Sequence, residues 1–181
     1  MNIYVMRHGK TDINATGRFN GQIDEDINSD GIEGAKNAAQ NVKELKLDVI
    51  FCSPLKRAKH TCDIVNVNNI PVIYDERLKE RTLGLLDGKD LAKEGFSKSD
   101  YYNYLLKSDV PGFENMQDFY KRVHSFMNDI AHLNYENILV IAHGGVLRSI
   151  YYYFNEIPEN GDVSAQKTVK NCQIIKYEIE K

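Results

Sequence analysis

The chain has 181 residues, 42% hydrophobic and 27% charged, which suits one globular domain with a real core and leaves little room for two. Its net charge of −3 gives no global basic field, so no nucleic acid or membrane partner is expected, and an anionic ligand would need a local cationic pocket. The longest apolar runs are too short to span a bilayer and no signal peptide is read at the N-terminus. Three cysteines with no C-x-x-C pair fit reduced thiols in a cytoplasmic protein better than a disulfide framework.

Ile3–Met6 reads as a buried strand. It runs into Arg7-His8-Gly9, two basic side chains at the end of an apolar segment, where uncompensated charge costs free energy. Arg-His-Gly alone fits a surface turn as well as a site. Ser29 is a candidate cap for a helix over about 31–46, whose Ile32, Ala35, Ala38, Val42 and Leu45 recur at helical spacing. Asp48–Cys52 is a second buried strand. Ser53-Pro54 reads as an N-cap followed by a first-turn proline, opening a helix to about Val67. Val72-Ile73-Tyr74 is a third strand. The stretch of about 82–112, with Asp87-Gly88, Lys93, Lys98 and Tyr101-Tyr102-Asn103-Tyr104, reads either as a lid insertion over the sheet's carboxyl edge or as a plain surface excursion. Phe119, Val123, Phe126, Met127 and Ile130 trace one face of a long helix between Glu114 and Leu133. Ile138–Ala142 is a fourth strand, and Gly144-Gly145 leads into a helix to about Phe154. Ile174–Ile179 alternates apolar and polar, as a half-exposed and antiparallel last strand would.

This alternation predicts an α/β fold: a three-layer sandwich, one domain over residues 1–181, with a mostly parallel central sheet, helices on both faces and the lid insertion. Ligands bind such sheets beyond the carboxyl ends of the strands. Arg7 and His8 follow the first strand, Arg57 the second, Glu80 the third and His143 the fourth. Four segments thus deliver two arginines, two histidines and a carboxylate to one edge.

With its neighbours, this set resembles the histidine phosphatase superfamily, in the branch that includes cofactor-dependent phosphoglycerate mutase and its phosphatase relatives. RHGKTDINATGRFNGQIDEDINSDG is similar to the family's opening block, through Thr11, Asn14, Gly17-Arg18, Gly21, Asp24 and Gly31. SPLKRAKHT resembles its Ser-x-Leu-x-Arg-Ala-x-x-Thr. RLKERTLGLLDG resembles its acid motif, through Leu78, Glu80, Gly84, Asp87 and Gly88. PGFENMQDFYKRV resembles the stretch opening the long helix, with Phe113 in place of a glycine, and VIAHGGVLR is similar to the second-histidine motif.

The resemblance implies a metal-independent phosphatase, with no cofactor, acting on a small-molecule phosphomonoester. Arg7 and Arg57 would grip its phosphoryl oxygens. Those cations favour neutral His8, whose lone pair would attack phosphorus to form a phosphohistidine. His143 would bind a phosphoryl oxygen and stabilise developing charge, with the helix N-terminus at Gly144 and the amide of Asn14 assisting. Gly21 is the remaining substrate contact. Glu80 would protonate the leaving alkoxide and then activate water. Asp75 and Glu76 are nearby carboxylates, but only Glu80 matches the motif. His143-Gly144 replaces the His-Asp of the acid phosphatase branch, which also favours Glu80.

Blander readings stand for other residues. His60, His124 and His132 read as helix-surface or packing residues, with no i, i+4 pair for a metal. The Tyr101–Tyr104 cluster reads as packing before it reads as a substrate clamp. Arg18, Arg81 and Arg148 fit substrate contacts and structural pairs equally, and Lys10 reads as solvent-facing or at the pocket rim. Two rival functions remain, a phosphoglycerate mutase and a catalytically silent binding module. Residues 82–112 contain no arginine, whereas the mutases carry an Arg-Arg pair in their lid. The sequence leaves the physiological phosphoester and the oligomeric state open.

Overall fold

The structure is a computed structural model that describes residues 1–166 and 169–180. In chain order its elements are β1 (Asn2–Arg7), α1 (Asp12–Ala15), α2 (Ser29–Lys43), β2 (Val49–Cys52), α3 (Lys56–Val65), β3 (Val72–Tyr74), α4 (Lys98–Tyr101), α5 (Met116–Ala131), β4 (Asn137–Ala142), α6 (Gly144–Phe154) and β5 (Ile174–Glu178).

The strands form one sheet in the order β3-β2-β4-β1-β5. The first four are parallel, and β5 closes the edge antiparallel to β1, with Val5 opposite Ile175. Side chains alternate between the two faces of each strand. Ile3, Val5, Val49, Phe51, Ile138 and Val140 pack under α5 and α6. Met6, Ile50, Cys52, Leu139 and Ile141 pack under α2 and α3. The central strands therefore read as unbroken apolar runs, because both faces are covered. Among the described residues, no helix is long and apolar enough to cross a membrane.

Two helix starts differ from the sequence reading. Asn28, not Ser29, caps α2: its backbone is extended and its side chain accepts the Gly31 N–H at 3.0 Å. Helix α3 begins only at Lys56, with Leu55 as its N-cap and no side-chain cap bond. The Ser53 hydroxyl is held elsewhere, by His143. The short α1, capped by Thr11, carried no apolar periodicity and was not anticipated.

The segment after β3 builds a small core of its own. Leu83, Leu86, Leu91 and Tyr101 are buried together, with Phe19, Phe96 and Phe113 packed against them. The Arg81 guanidinium lies 4.4 Å over the Tyr101 ring and donates to the Tyr101 carbonyl at 2.9 Å. Phe19 stacks on the same ring at 3.8 Å. This segment walls the cavity above the sheet's carboxyl edge.

Candidate active site

Three parallel strands end side by side. His8 N–H donates to Ala142 O and Ser53 N–H to Ile141 O, both at 2.9 Å. This backbone pairing fixes where the side chains just beyond β1, β2 and β4 begin. Above them lies a cavity of about 490 Å³, with Arg7, His8, Asn14, Gly21, Arg57 and Glu80 in its wall. Six of the eight residues expected at the site therefore share one cavity. His143 and Gly144 are not in that wall.

His8 is 3% exposed. Its Nδ1 lies 2.6 Å from the Gly9 carbonyl oxygen. A carbonyl only accepts, so Nδ1 carries the proton and Nε2 carries the lone pair. Burial, then Arg57, then Arg7, hold the ring's pKa well below 6.5. His8 is thus a neutral imidazole at neutral pH with its free electron pair on Nε2.

His143 has the opposite tautomer. Arg57 Nε donates to His143 Nδ1 at 3.2 Å. A guanidinium only donates, so His143 carries its proton on Nε2 and gives it to Ser53 Oγ at 2.7 Å. Burial, Arg57 and His8 also push this ring's pKa well below 6.5. The ring lies behind the wall, its centroid 5.0 Å from that of His8, with both nitrogens bonded to protein.

Arg57 is fully buried. Its terminal nitrogens donate to Ile23 O at 2.7 Å and Gly21 O at 2.8 Å. Burial lowers its pKa to about 10, so it stays charged at neutral pH. Arg7 donates to Val169 O at 2.9 Å, and among the described residues its buried Nε atom has no hydrogen-bond partner. Among the described residues, neither arginine belongs to any ion pair. A buried and a half-buried cation side by side are costly unless an anion compensates them, and Glu80 in the same cavity offsets part of this without pairing with either.

Glu80 is anchored at both oxygens. Oε1 accepts the Arg81 N–H at 2.9 Å and Oε2 accepts the Gly145 N–H at 3.0 Å. The start of α6, expected to serve the phosphoryl group, thus gives its Gly145 amide to the carboxylate. A Cβ on Gly145 would lie 2.3 Å from Glu80 Oε1, which explains the second glycine after His143. Arg122 of α5 braces the same turn, donating to Arg77 O, Lys79 O and Glu80 O while paired with Glu114.

Asn14 gives one amide hydrogen to Asn20 Oδ1 at 2.6 Å, which leaves the other for a ligand. Gly21 has φ +53, and a Cβ there would lie 1.6 Å from Asp87 Oδ1. Its place in the motif follows from that approach and from its carbonyl bond to Arg57. Asn171 was missed by the sequence reading. It lines the cavity and donates to His8 O at 2.8 Å, but it stands alone in a loop, with no pattern to mark it.

The ambiguous residues now separate. Arg18 lines the cavity with Lys89 and Lys98. Arg81 is buried against Tyr101 and Phe113, and Arg148 lies 4.4 Å over Tyr102 and donates to Val163 O. Lys10 pairs with Asp30, and His60 with Asp26, on the surface. His124 bonds Ser149 O, and His132 ends α5. Tyr101 and Tyr102 line the cavity while packing against Phe19. Among the described residues, no three His, Cys, Asp or Glu side chains gather as a metal cluster would.

The profile of the histidine phosphatase superfamily (branch 1) matches residues 3–181. The chain belongs to this family. It is 33% identical over 168 residues to the metal-independent phosphoserine phosphatase of Arabidopsis thaliana, covering 88% of this chain and 71% of the relative. It is also 33% identical over 168 residues to the 2,3-bisphosphoglycerate-dependent phosphoglycerate mutase of Rhizobium meliloti, covering 86% and 80%. The fold matches the alpha-ribazole phosphatase of Shigella flexneri with a TM-score of 0.85 at 24% identity, over 99% of this chain and 91% of that one. This histidine phosphatase thus has relatives named for hydrolysis and for phosphoryl transfer.

Proposed function

We propose that the chain hydrolyses small phosphomonoesters through a phosphohistidine on His8. One observation carries this reading. Two guanidiniums that, among the described residues, belong to no ion pair, Arg57 fully buried and Arg7 half-buried, flank a neutral histidine whose Nε2 bears the lone pair. The phosphoryl group, with a charge of about −2, supplies the missing anion. Nε2 attacks phosphorus, the P–O bond to the alcohol breaks, and Glu80 gives its proton to the departing oxygen. Water then attacks the phosphohistidine while Glu80 takes its proton. Inorganic phosphate leaves, and His8 regains its lone pair. Arg7 and Arg57 neutralise the equatorial oxygens throughout. His143 orients Arg57 from behind, and it would have to release Ser53 to donate to a phosphoryl oxygen itself.

The reading places one domain over residues 1–181 with a lid at about 82–112, in the cytoplasm, where the free thiols of Cys52, Cys62 and Cys172 suit a reducing setting. Phosphoserine and other small phosphoesters are the first substrates to try, after the names of the relatives. The test is phosphate release from such a panel without added metal, wild type beside His8→Ala, with 3-phosphoglycerate and a trace of its bisphosphate included. Release that vanishes in His8→Ala is the expected result. Isomerisation of 3-phosphoglycerate with little free phosphate would replace this reading by a mutase.

A further inference from the structure

We propose that Thr61, one turn into α3, is a positioning residue that sets the tautomer of His8 through the Gly9 peptide. The inference rests on His8 being the nucleophile. Thr61 is fully buried. Its hydroxyl gives its one proton to Arg57 O at 2.6 Å and accepts the Gly9 N–H at 2.9 Å. The other end of the same peptide group, His8 O, accepts from Asn171 Nδ2 at 2.8 Å. The His8–Gly9 peptide is therefore held at both its polar atoms and cannot rotate freely.

The next carbonyl along, that of Gly9, receives the His8 Nδ1–H at 2.6 Å. Close packing removes the remaining slack. A Cβ on Gly9 would lie 2.8 Å from Gly31 O, and one on Gly31 would lie 2.3 Å from Lys10 O. The backbone beyond His8 is thus wedged between α2 and α3. Neutral histidine in water divides its proton between two nitrogens. A fixed acceptor at Nδ1 commits the lone pair to Nε2, the atom that must attack. Removing the Thr61 oxygen leaves the buried Gly9 N–H without its acceptor, which turns the peptide and withdraws the carbonyl from Nδ1.

The experiment combines kinetics with the ¹⁵N NMR signals of the His8 ring, which report the nitrogen that carries the proton. Wild type is expected to show the Nδ1–H tautomer. Thr61→Val should mix the tautomers and slow phosphorylation of His8 about ten- to a hundredfold with little change in KM. Thr61→Ser, which keeps the oxygen, should restore both. A purely packing role would lower the melting temperature of Thr61→Val without moving the tautomer or kcat, and that result overturns the proposal. So does an Nε2–H tautomer in wild type, which needs no variant to fold. Should Thr61→Val not fold, Asn171→Ala loosens the other end of the clamp, and an unchanged tautomer there counts equally against it. Activity retained by His8→Ala would remove the phosphohistidine reading itself, whereas a dead His8→Ala with a fully active Thr61→Val would remove only this inference.

Discussion

Arg57 on the cavity floor and Arg81 beside the small core that follows β3 are both buried, at 0% and 2% exposure, and among the described residues neither has a carboxylate partner. Their surroundings differ. Arg57 is held by two carbonyls and His143 at the edge of an open cavity, next to a second such cation, Arg7. Arg81 is enclosed, with the faces of Tyr101 and Phe113 at 4.4 and 5.5 Å and its bonds going to the Tyr101 carbonyl and Met116 sulfur. A buried arginine is therefore not by itself a sign of a binding site. The floor pair lines the open cavity, while Arg81 is part of the small core built after β3.

Variants can break this contrast. Glu80→Gln should have the largest effect, about 10²- to 10⁴-fold in kcat for alkyl esters and far less for p-nitrophenyl phosphate, whose leaving group needs no proton; equal losses on both substrates would remove Glu80 as the acid. Arg57→Met should cost about 10²- to 10³-fold in kcat/KM with only a modest drop in melting temperature, because a buried charge goes while Gly21 O, Ile23 O and His143 Nδ1 lose a donor. A large drop in stability would instead make Arg57 chiefly structural. Arg81→Met should change kcat by less than about threefold, since cation–π contacts of this kind are worth roughly 1–2 kcal/mol to the small core and touch no reacting atom. A loss as large as that of Arg57→Met would erase the distinction between the two arginines.

The smallest effect is in pH. His8 and His143 have folded pKa values far below 6.5, from burial and then Arg57. Below about pH 6.5 the unfolded chain takes up protons that the folded one refuses, so stability should fall as pH drops through that range. Protonation of His8 should limit the rate only well below pH 6.5. Denaturant melts and kcat/KM between pH 5 and 7 check both halves. Rising stability toward pH 5, or a rate that fails with a midpoint at 6.5, would show that the rings are not held neutral.

The floor was legible in the sequence because strands deliver it. Arg7, His8 and His143 each follow an apolar run whose end fixes their place, and only short stretches of backbone intervene. What could not be read are the partners that orient them. Ser53 looked like a helix cap and is the acceptor for His143. Asn171 lies more than 160 positions from the histidine whose carbonyl it holds, in a loop with no periodicity. Glu80 was singled out by its motif, but not its anchoring on Gly145, which depends on a backbone approach that no side-chain pattern records. In the segment after β3, composition could not say that Arg81 is enclosed, or that Tyr101 both lines the cavity and is sandwiched between Phe19 and a guanidinium.

The most direct test of the central claim is to trap the intermediate. Enzyme mixed with a good phosphomonoester substrate and quenched in alkali, where phosphohistidine survives, should carry one phosphoryl group, mapped by mass spectrometry to the peptide holding His8 and absent from His8→Ala. A phosphoryl group on another residue, or phosphate release at full rate with no phosphorylated enzyme during turnover and undiminished in His8→Ala, would contradict the account.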